Sequence, residues 1–290
     1  MKSFSYFLTM LVIRMTGIKN VFSRDPIDFK KLRKDDIHVP KIPNATQFMV
    51  EDTLVTEISN SSTSIDLILY VHGGAFVYGP AKHHWAAVKN LQAGTNNIVW
   101  MIDYPKAPEH NISQISKNID LVYQAALQRT ITGKISLIGD SVGATLITAL
   151  TQRLIKDKTP LPSLLVLISP VMDASLKNEA IPSKEKGDPM LSRIGVLSAK
   201  KMCAENGNLE DPSISPLIGD FKGFPYTVLY IAEHDITSPD QELFVQKMEK
   251  MGLHHKIFRG KSMPHIWPIL PVMRESKIAF KSIIAEYKRS

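Results

Sequence analysis

The chain has 290 residues, 44% apolar and 22% charged, an ordinary globular composition long enough for one large domain or a domain with an insertion. Its one cysteine, Cys203, excludes an intrachain disulfide and any cysteine-built metal cluster, and a reducing, cytoplasmic compartment is expected. The formal charge is +7, but the basic run at residues 30–34 is ringed by Asp25, Asp28, Asp35 and Asp36 without interleaved aromatics, so a solvated surface is expected and no nucleic-acid partner.

Reading from the N-terminus, Lys2 and an apolar run from Phe4 to Ile13 imitate a signal peptide. Arg14 interrupts the run, no small-x-small cleavage site follows, and the stretch is too short to span a bilayer. Phe4, Phe7, Leu8, Leu11 and Met15 fall at i, i+3, i+4 spacing. That spacing predicts an amphipathic helix docked on the protein, with a membrane-surface helix as the alternative and no stable membrane anchor.

From about residue 65 the pattern alternates. Residues 65–71 (IDLILYV), 97–104, 134–140, 163–170 and 226–235 read as buried strands, and 255–260 as a short one. Helical periodicity covers 112–129, 142–155, 239–251 and 271–287. Strands apolar throughout and separated by helices predict an α/β fold, a parallel sheet covered on both faces. Two stretches break the alternation: residues 1–50, and an insertion at about 172–222 between consecutive strands. An insertion there is expected above the C-terminal edge of the sheet, where ligands bind in open α/β folds.

The sequence GDSVG, Gly139 to Gly143, lies between a predicted strand and a predicted helix. A sharp strand-to-helix turn needs small residues flanking its apex, and it exposes the serine hydroxyl at the strand end. A nucleophilic serine further needs a base, an acid that orients the base, and donors for an oxyanion, in the chain order Ser, acid, His. Asp235 follows the strand 226–231 within AEHDITSPD, and His265 follows the last short strand within SMPHIWP. Glu233 sits too close to the strand to reach, and Asp240 opens a helix, where its charge suits the dipole. Upstream, His72-Gly73-Gly74 follows the first strong strand, the position of an oxyanion loop. The reading assigns attack to Ser141, proton transfer to His265, orientation to Asp235, and oxyanion binding to the N–H groups of Gly73, Gly74, Ala75 and Val142. No metal and no cofactor are expected, since His83-His84 and His254-His255 are adjacent pairs and not face-sharing helix ligands. Asp103, Glu109 and His110 in DYPKAPEH are read as a buried polar anchor for the oxyanion loop in preference to a second acid–base pair.

Four patches, HGGAF, DYPKAPEH, GDSVG and HDITSPD…MPHIWP, together resemble the hormone-sensitive-lipase-like branch of the α/β-hydrolases, the acetyl-esterase type (α/β-hydrolase fold-3). The resemblance runs from about residue 65 to the C-terminus and places that family's acid at Asp235. It implies a mostly parallel sheet in a catalytic domain over 51–290. It also implies a helical cap from residues 1–50 and the insertion, and cofactor-free hydrolysis of small carboxylic esters with short acyl chains. A homodimer is compatible with it. Two departures stand out: Ala75 where many members carry a third glycine, expected to narrow the acyl side, and Ile266 where relatives often have glycine. Lactone, carbamate or peptide hydrolysis would use the same residues. A non-catalytic ligand-binding relative would be expected to have lost the histidine, which is retained here.

Overall fold

The computed structural model describes residues 2–60, 65–130 and 132–289. The first half of the chain forms α1 (Phe4–Thr16), α2 (Ile18–Val21), α3 (Phe29–Leu32), β1 (Ala45–Val50), β2 (Thr53–Ile58), β3 (Leu67–Val71), α4 (Lys82–Thr95), β4 (Ile98–Asp103), α5 (Ile112–Arg129), β5 (Ile135–Asp140) and α6 (Val142–Lys156). The second half forms β6 (Leu164–Ile168), α7 (Ile181–Glu185), α8 (Arg193–Cys203), β7 (Thr227–His234), α9 (Ser238–Lys250), β8 (His255–Pro264) and α10 (Arg274–Tyr287).

The strands make one eight-stranded sheet in the order β1-β2-β4-β3-β5-β6-β7-β8. The run from β4 to β8 is parallel, while β1 and β2 add an antiparallel edge. The chain moves from β3 outward to β4 and then returns across β3 to β5. That reversal makes the β3/β5 crevice a topological switch point, where loops diverge and leave room for a ligand.

The sheet interior explains why its strands read as continuous apolar runs. Leu67, Leu69 and Val71 of β3 face one core, with Leu146 and Leu150 of α6 and Ile115, Ile119 and Val122 of α5. Ile68 and Tyr70 face the other, with Trp85, Val88 and Leu91 of α4 and Phe280 and Ile283 of α10. Period-two alternation thus feeds both layers, and no residue of β3 to β6 is left for water.

Two expectations are corrected. Residues 45–50, placed in an N-terminal helical region, are instead the edge strand β1, paired in register with β2 from Ala45↔Ile58 to Val50↔Thr53. The N-terminal helix is present and docked, but by its other face. Tyr6, Met10 and Ile13 are buried, whereas Phe4 is 84% and Met15 76% exposed. The helix is apolar on both sides, and polar tethers select the buried one. Ser3 donates through N–H and Oγ to Glu275, Tyr6 Oη donates to Ser262 O, and Arg274 N–H donates to Ser5 Oγ.

Candidate active site

Ser141 stands at the apex between β5 and α6 with φ 51° and ψ −123°, a left-handed conformation that a serine adopts only when its surroundings enforce it. The enforcement is visible. Its N–H donates to Ile168 O at 2.8 Å, and the two flanking glycines pass too close to backbone for any side chain. A Cβ on Gly143 would meet Val71 O at 2.0 Å, and one on Gly139 would meet Gly143 C at 2.6 Å. The motif is therefore a packing requirement of β3, β5 and α6, and the exposed hydroxyl is its product.

The ends of β7 and β8 place the next two residues. His234 pairs with Pro264 across the ladder, so the following residues, Asp235 and His265, leave the sheet side by side. His265 Nδ1 donates to Asp235 Oδ2 at 2.7 Å. The other carboxylate oxygen of Asp235 accepts from Thr237 N–H and Thr237 Oγ1, at 2.8 and 2.7 Å. Ile266 takes φ 52°, the region where glycine would be unstrained, and is held there by its N–H donating to Ser169 Oγ.

Electrostatics fit the geometry. Burial works to lower the His265 pKa, but the charges of Asp235, Asp188 and Asp140 and the hydrogen bond to Asp235 hold it above the usual imidazole value. Burial works to raise Asp235, and the His265 and Thr237 contacts bring it below the ordinary carboxylate range. Asp188 was not singled out by sequence. Its buried carboxylate accepts from the N–H groups of Met190, Leu191 and Ile236, and burial with the Asp235 charge pushes it up to about 6. A lone acid in a polar loop gave no sign of this contact.

Ser141, His265, Gly74, Ala75 and Val142 line one cavity of about 40 Å³. No group among the described residues accepts from the N–H of Gly74, Ala75 or Val142, and Val142 opens α6, so its N–H has no intrahelical acceptor. Gly73 stands behind the wall, where a Cβ would meet Asp140 Oδ2 at 2.3 Å. Ile18, Phe22, Met190, Leu191 and Val196 supply the apolar side. Among the described residues the Ser141 hydroxyl makes no hydrogen bond, as is common before a substrate tightens the site.

The segment DYPKAPEH anchors the loop after β3, but through Tyr104 and Ala107 and not through the expected buried trio: Asp103 is buried, Glu109 is exposed and His110 is half-buried. Tyr104 Oη donates to His72 O at 3.0 Å, and Ala107 N–H to Phe76 O at 2.9 Å. Asp103 accepts from Lys106 and contacts His38 at 2.5 Å, while Glu109 forms a two-pronged pair with Arg33, whose Nε also holds Val77 O. His72 Nδ1 donates to Gly73 O, and burial lowers that ring's pKa to about 4, so it stays neutral. For a metal, His83, His84 and Asp140 bring ligand atoms within 4.8 Å of one another; the fold adds Asp140 to an adjacent pair that spacing alone had set aside. His84 Nε2 already lies 3.3 Å from Asp140 Oδ2, and Tyr70 Oη donates to Asp140 Oδ1 at 2.7 Å.

Among the described residues no helix is long and apolar enough to cross a membrane. The family described as alpha/beta hydrolase fold matches residues 68–269. An esterase of Acinetobacter venetianus is 36% identical over 209 residues, 70% of this chain and 69% of that protein. An acetyl-hydrolase of Streptomyces hygroscopicus is 25% identical over 214 residues, 72% of each. In fold, the solved structure of an esterase from the bacterial hormone-sensitive lipase family superposes with TM-score 0.84 at 22% identity, covering 100% of this chain and 99% of that one. The chain belongs to the hormone-sensitive-lipase-like branch of the α/β-hydrolases and is an enzyme of the esterase type.

Proposed function

We propose that the protein hydrolyses short-chain carboxylic esters through Ser141, His265 and Asp235, by way of an acyl-enzyme. The observation that carries this reading is the convergence on one small cavity of the Ser141 hydroxyl, the Asp235-bound His265 and three N–H groups without acceptors. Ser141 Oγ attacks the ester carbonyl while His265 Nε2 takes its proton and returns it to the leaving alcohol. Asp235, bound to Nδ1, fixes the tautomer and stabilises the imidazolium. The N–H groups of Gly74, Ala75 and Val142 bind the oxyanion, and Gly73 lets the loop pass Asp140. Removing one such donor typically costs on the order of 10²–10³ in turnover. Water then repeats the attack and releases the acid.

Residues 1–44 and the insertion at about 172–222 form the cap in this reading. Its support is direct packing of one on the other: Gly195 N–H donates to Phe22 O at 2.8 Å, and Ile27 N–H to Ser198 Oγ at 3.0 Å. The cavity volume of about 40 Å³ supports a short acyl group, and the buried free thiol of Cys203 supports a cytoplasmic compartment. Purified enzyme is tested with a fluorophosphonate and with p-nitrophenyl esters of rising chain length. Labelling confined to Ser141 and turnover that peaks at short chains are expected. Labelling that persists in Ser141→Ala overturns the nucleophile, and equal turnover of long-chain esters overturns the chain-length preference.

A further inference from the structure

Lys200 is a buried cation on the wall of the same cavity. It stands on α8 one turn after Val196, and both side chains line the space over Ser141. Lys200 has no solvent exposure, and Nζ has no hydrogen-bond acceptor among the described residues. The group it faces is a ring: Nζ lies 4.2 Å from the centroid of Phe76, the residue after Ala75. Burial lowers the amine to about 7, with the nearby Cys203 thiol opposing the shift.

Stripping an amine of water without giving it an acceptor is costly, and a ring face returns only part of the loss. Methionine or leucine would fill the position at less cost. The carboxylates near the cavity are engaged elsewhere. Asp140 holds His84 and Tyr70, Asp235 holds His265 and Thr237, and Asp188 takes three backbone N–H groups. Lys200 Nζ is left as a charged donor without a hydrogen-bond partner among the described residues, on a side chain that lines the space a substrate occupies.

We infer that Lys200 is a specificity-determining residue whose ammonium receives a carboxylate carried by the ester, so that the preferred substrates are acidic esters such as hemiesters of short dicarboxylic acids. The inference rests on reading the cavity as an ester-hydrolysing site. The formal charge of +7 draws anionic ligands toward the protein. A neutral ester leaves the amine unpaired, the situation in which a site discriminates most strongly against an analogue lacking the expected polar group.

The test compares matched pairs on the full-length enzyme. Ethyl hydrogen succinate carries its carboxylate on the acyl side, and ethyl 4-methylpentanoate is its neutral counterpart. Acetoxyacetate carries the carboxylate on the alcohol side, and isobutyl acetate is the neutral match. At least one acidic ester should exceed its partner in kcat/KM by roughly 100-fold, and the winning pair tells which side Lys200 serves. In Lys200→Met, which keeps most of the length and packing of the side chain, that ratio should fall roughly 100-fold, to parity with the neutral ester. A wild-type enzyme that turns over both neutral esters as fast as their acidic partners overturns the inference, whatever the variant does. So does an acid preference that survives in Lys200→Met. Hydrolysis of neither class, with no fluorophosphonate label on Ser141, instead removes the esterase reading and takes the inference with it.

Discussion

The cavity has two walls of different construction. The sheet-side wall, Gly74, Ala75, Ser141, Val142 and His265, hangs from the ends of β3, β5 and β8. Its positions are fixed by ladder register, by close backbone approaches at Gly139 and Gly143, and by the Asp235–His265 bond. The opposite wall, Ile18, Phe22, Met190, Leu191, Val196 and Lys200, comes from two segments that belong to no strand. Side-chain packing and a few backbone bonds hold it, such as Gly195 N–H to Phe22 O. A register-fixed wall suits chemistry, which tolerates little displacement, and a packed wall can be remodelled to change what is bound.

The largest effect should come from the sheet-side wall. Asp235→Asn keeps the shape of the side chain but presents an amide to Nδ1, so the wrong tautomer of His265 is held. Turnover should fall roughly 10⁴-fold, as in the serine-protease template. Glu233→Gln, whose exposed carboxylate accepts from Ser262 N–H alone among the described residues, should remain near wild type. Steady-state rates of the two variants decide the acid; collapse in Glu233→Gln with Asp235→Asn intact would reverse it.

Next in size is a pair of glycines, one packed behind each wall. A Cβ at Gly143 would meet Val71 O at 2.0 Å, inside the sheet, and one at Gly195 would meet Phe22 O at the same distance, in the cap. Gly143→Ala should destabilise the fold by more than about 3 kcal/mol, because neither β3 nor α6 can yield. Gly195→Ala, whose Cβ meets backbone just as closely, should cost less, about 1–3 kcal/mol, because the cap segment can shift, and should also raise KM. Equal midpoints would mean that the cap is as integral to the core as the sheet is.

How much of this was legible follows from the same contrast. The buried strands carry uninterrupted apolar runs, and β7 and the first six residues of β8 fall where the pattern put them. Ser141, Asp235 and His265 could be named as candidates because the turn geometry demands small residues at Gly139 and Gly143, and because the acid and the histidine follow in the required chain order. The edge hairpin β1–β2 was not legible. Its outer strand β1 is exposed or half-buried along its length, and its turn residues are Glu51 and Asp52, not the Asn-Gly pair that signals a tight hairpin. Helix α4 shows only Trp85, Val88 and Leu91 among polar neighbours. Asp188 and Lys200 matter through contacts across sequence-distant segments, which no local pattern encodes.

A smaller effect tests whether the cap reaches the chemistry through charge. The His265 pKa is raised, and the base works only when neutral, so kcat/KM should rise with pH through a value above the ordinary imidazole 6.5. Asp188, in the insertion, contributes to that raising. It is largely ionised at that pH, its own pKa being about 6. Asp188→Asn removes the negative charge, the imidazolium loses a favourable neighbour, and the acid limb should move to lower pH. An unmoved limb would confine the link between the walls to packing.

The smallest effect concerns a joint between the walls. Asp240, in the first turn of α9, is buried and accepts from Asn178 Nδ2 of the insertion at 2.8 Å, while its Oδ2 has no hydrogen-bond partner among the described residues. Burial pushes its carboxyl up to about 6, and the Asp173 charge adds to the shift. The unfolded chain releases that proton near pH 4. Between pH 4 and 6 the folded state therefore binds the proton that the unfolded state has lost, and stability falls as pH rises through this window. Above pH 6 the folded protein carries the full cost, roughly 1–2 kcal/mol after allowing for partial solvent access. Asp240→Asn keeps an oxygen for Asn178 and removes the titration. Its urea midpoint should exceed that of wild type at pH 8 and approach it at pH 5. A gain of the same size at both values would show that the carboxyl is already ionised in the folded protein at pH 5, so that burial does not raise its pKa.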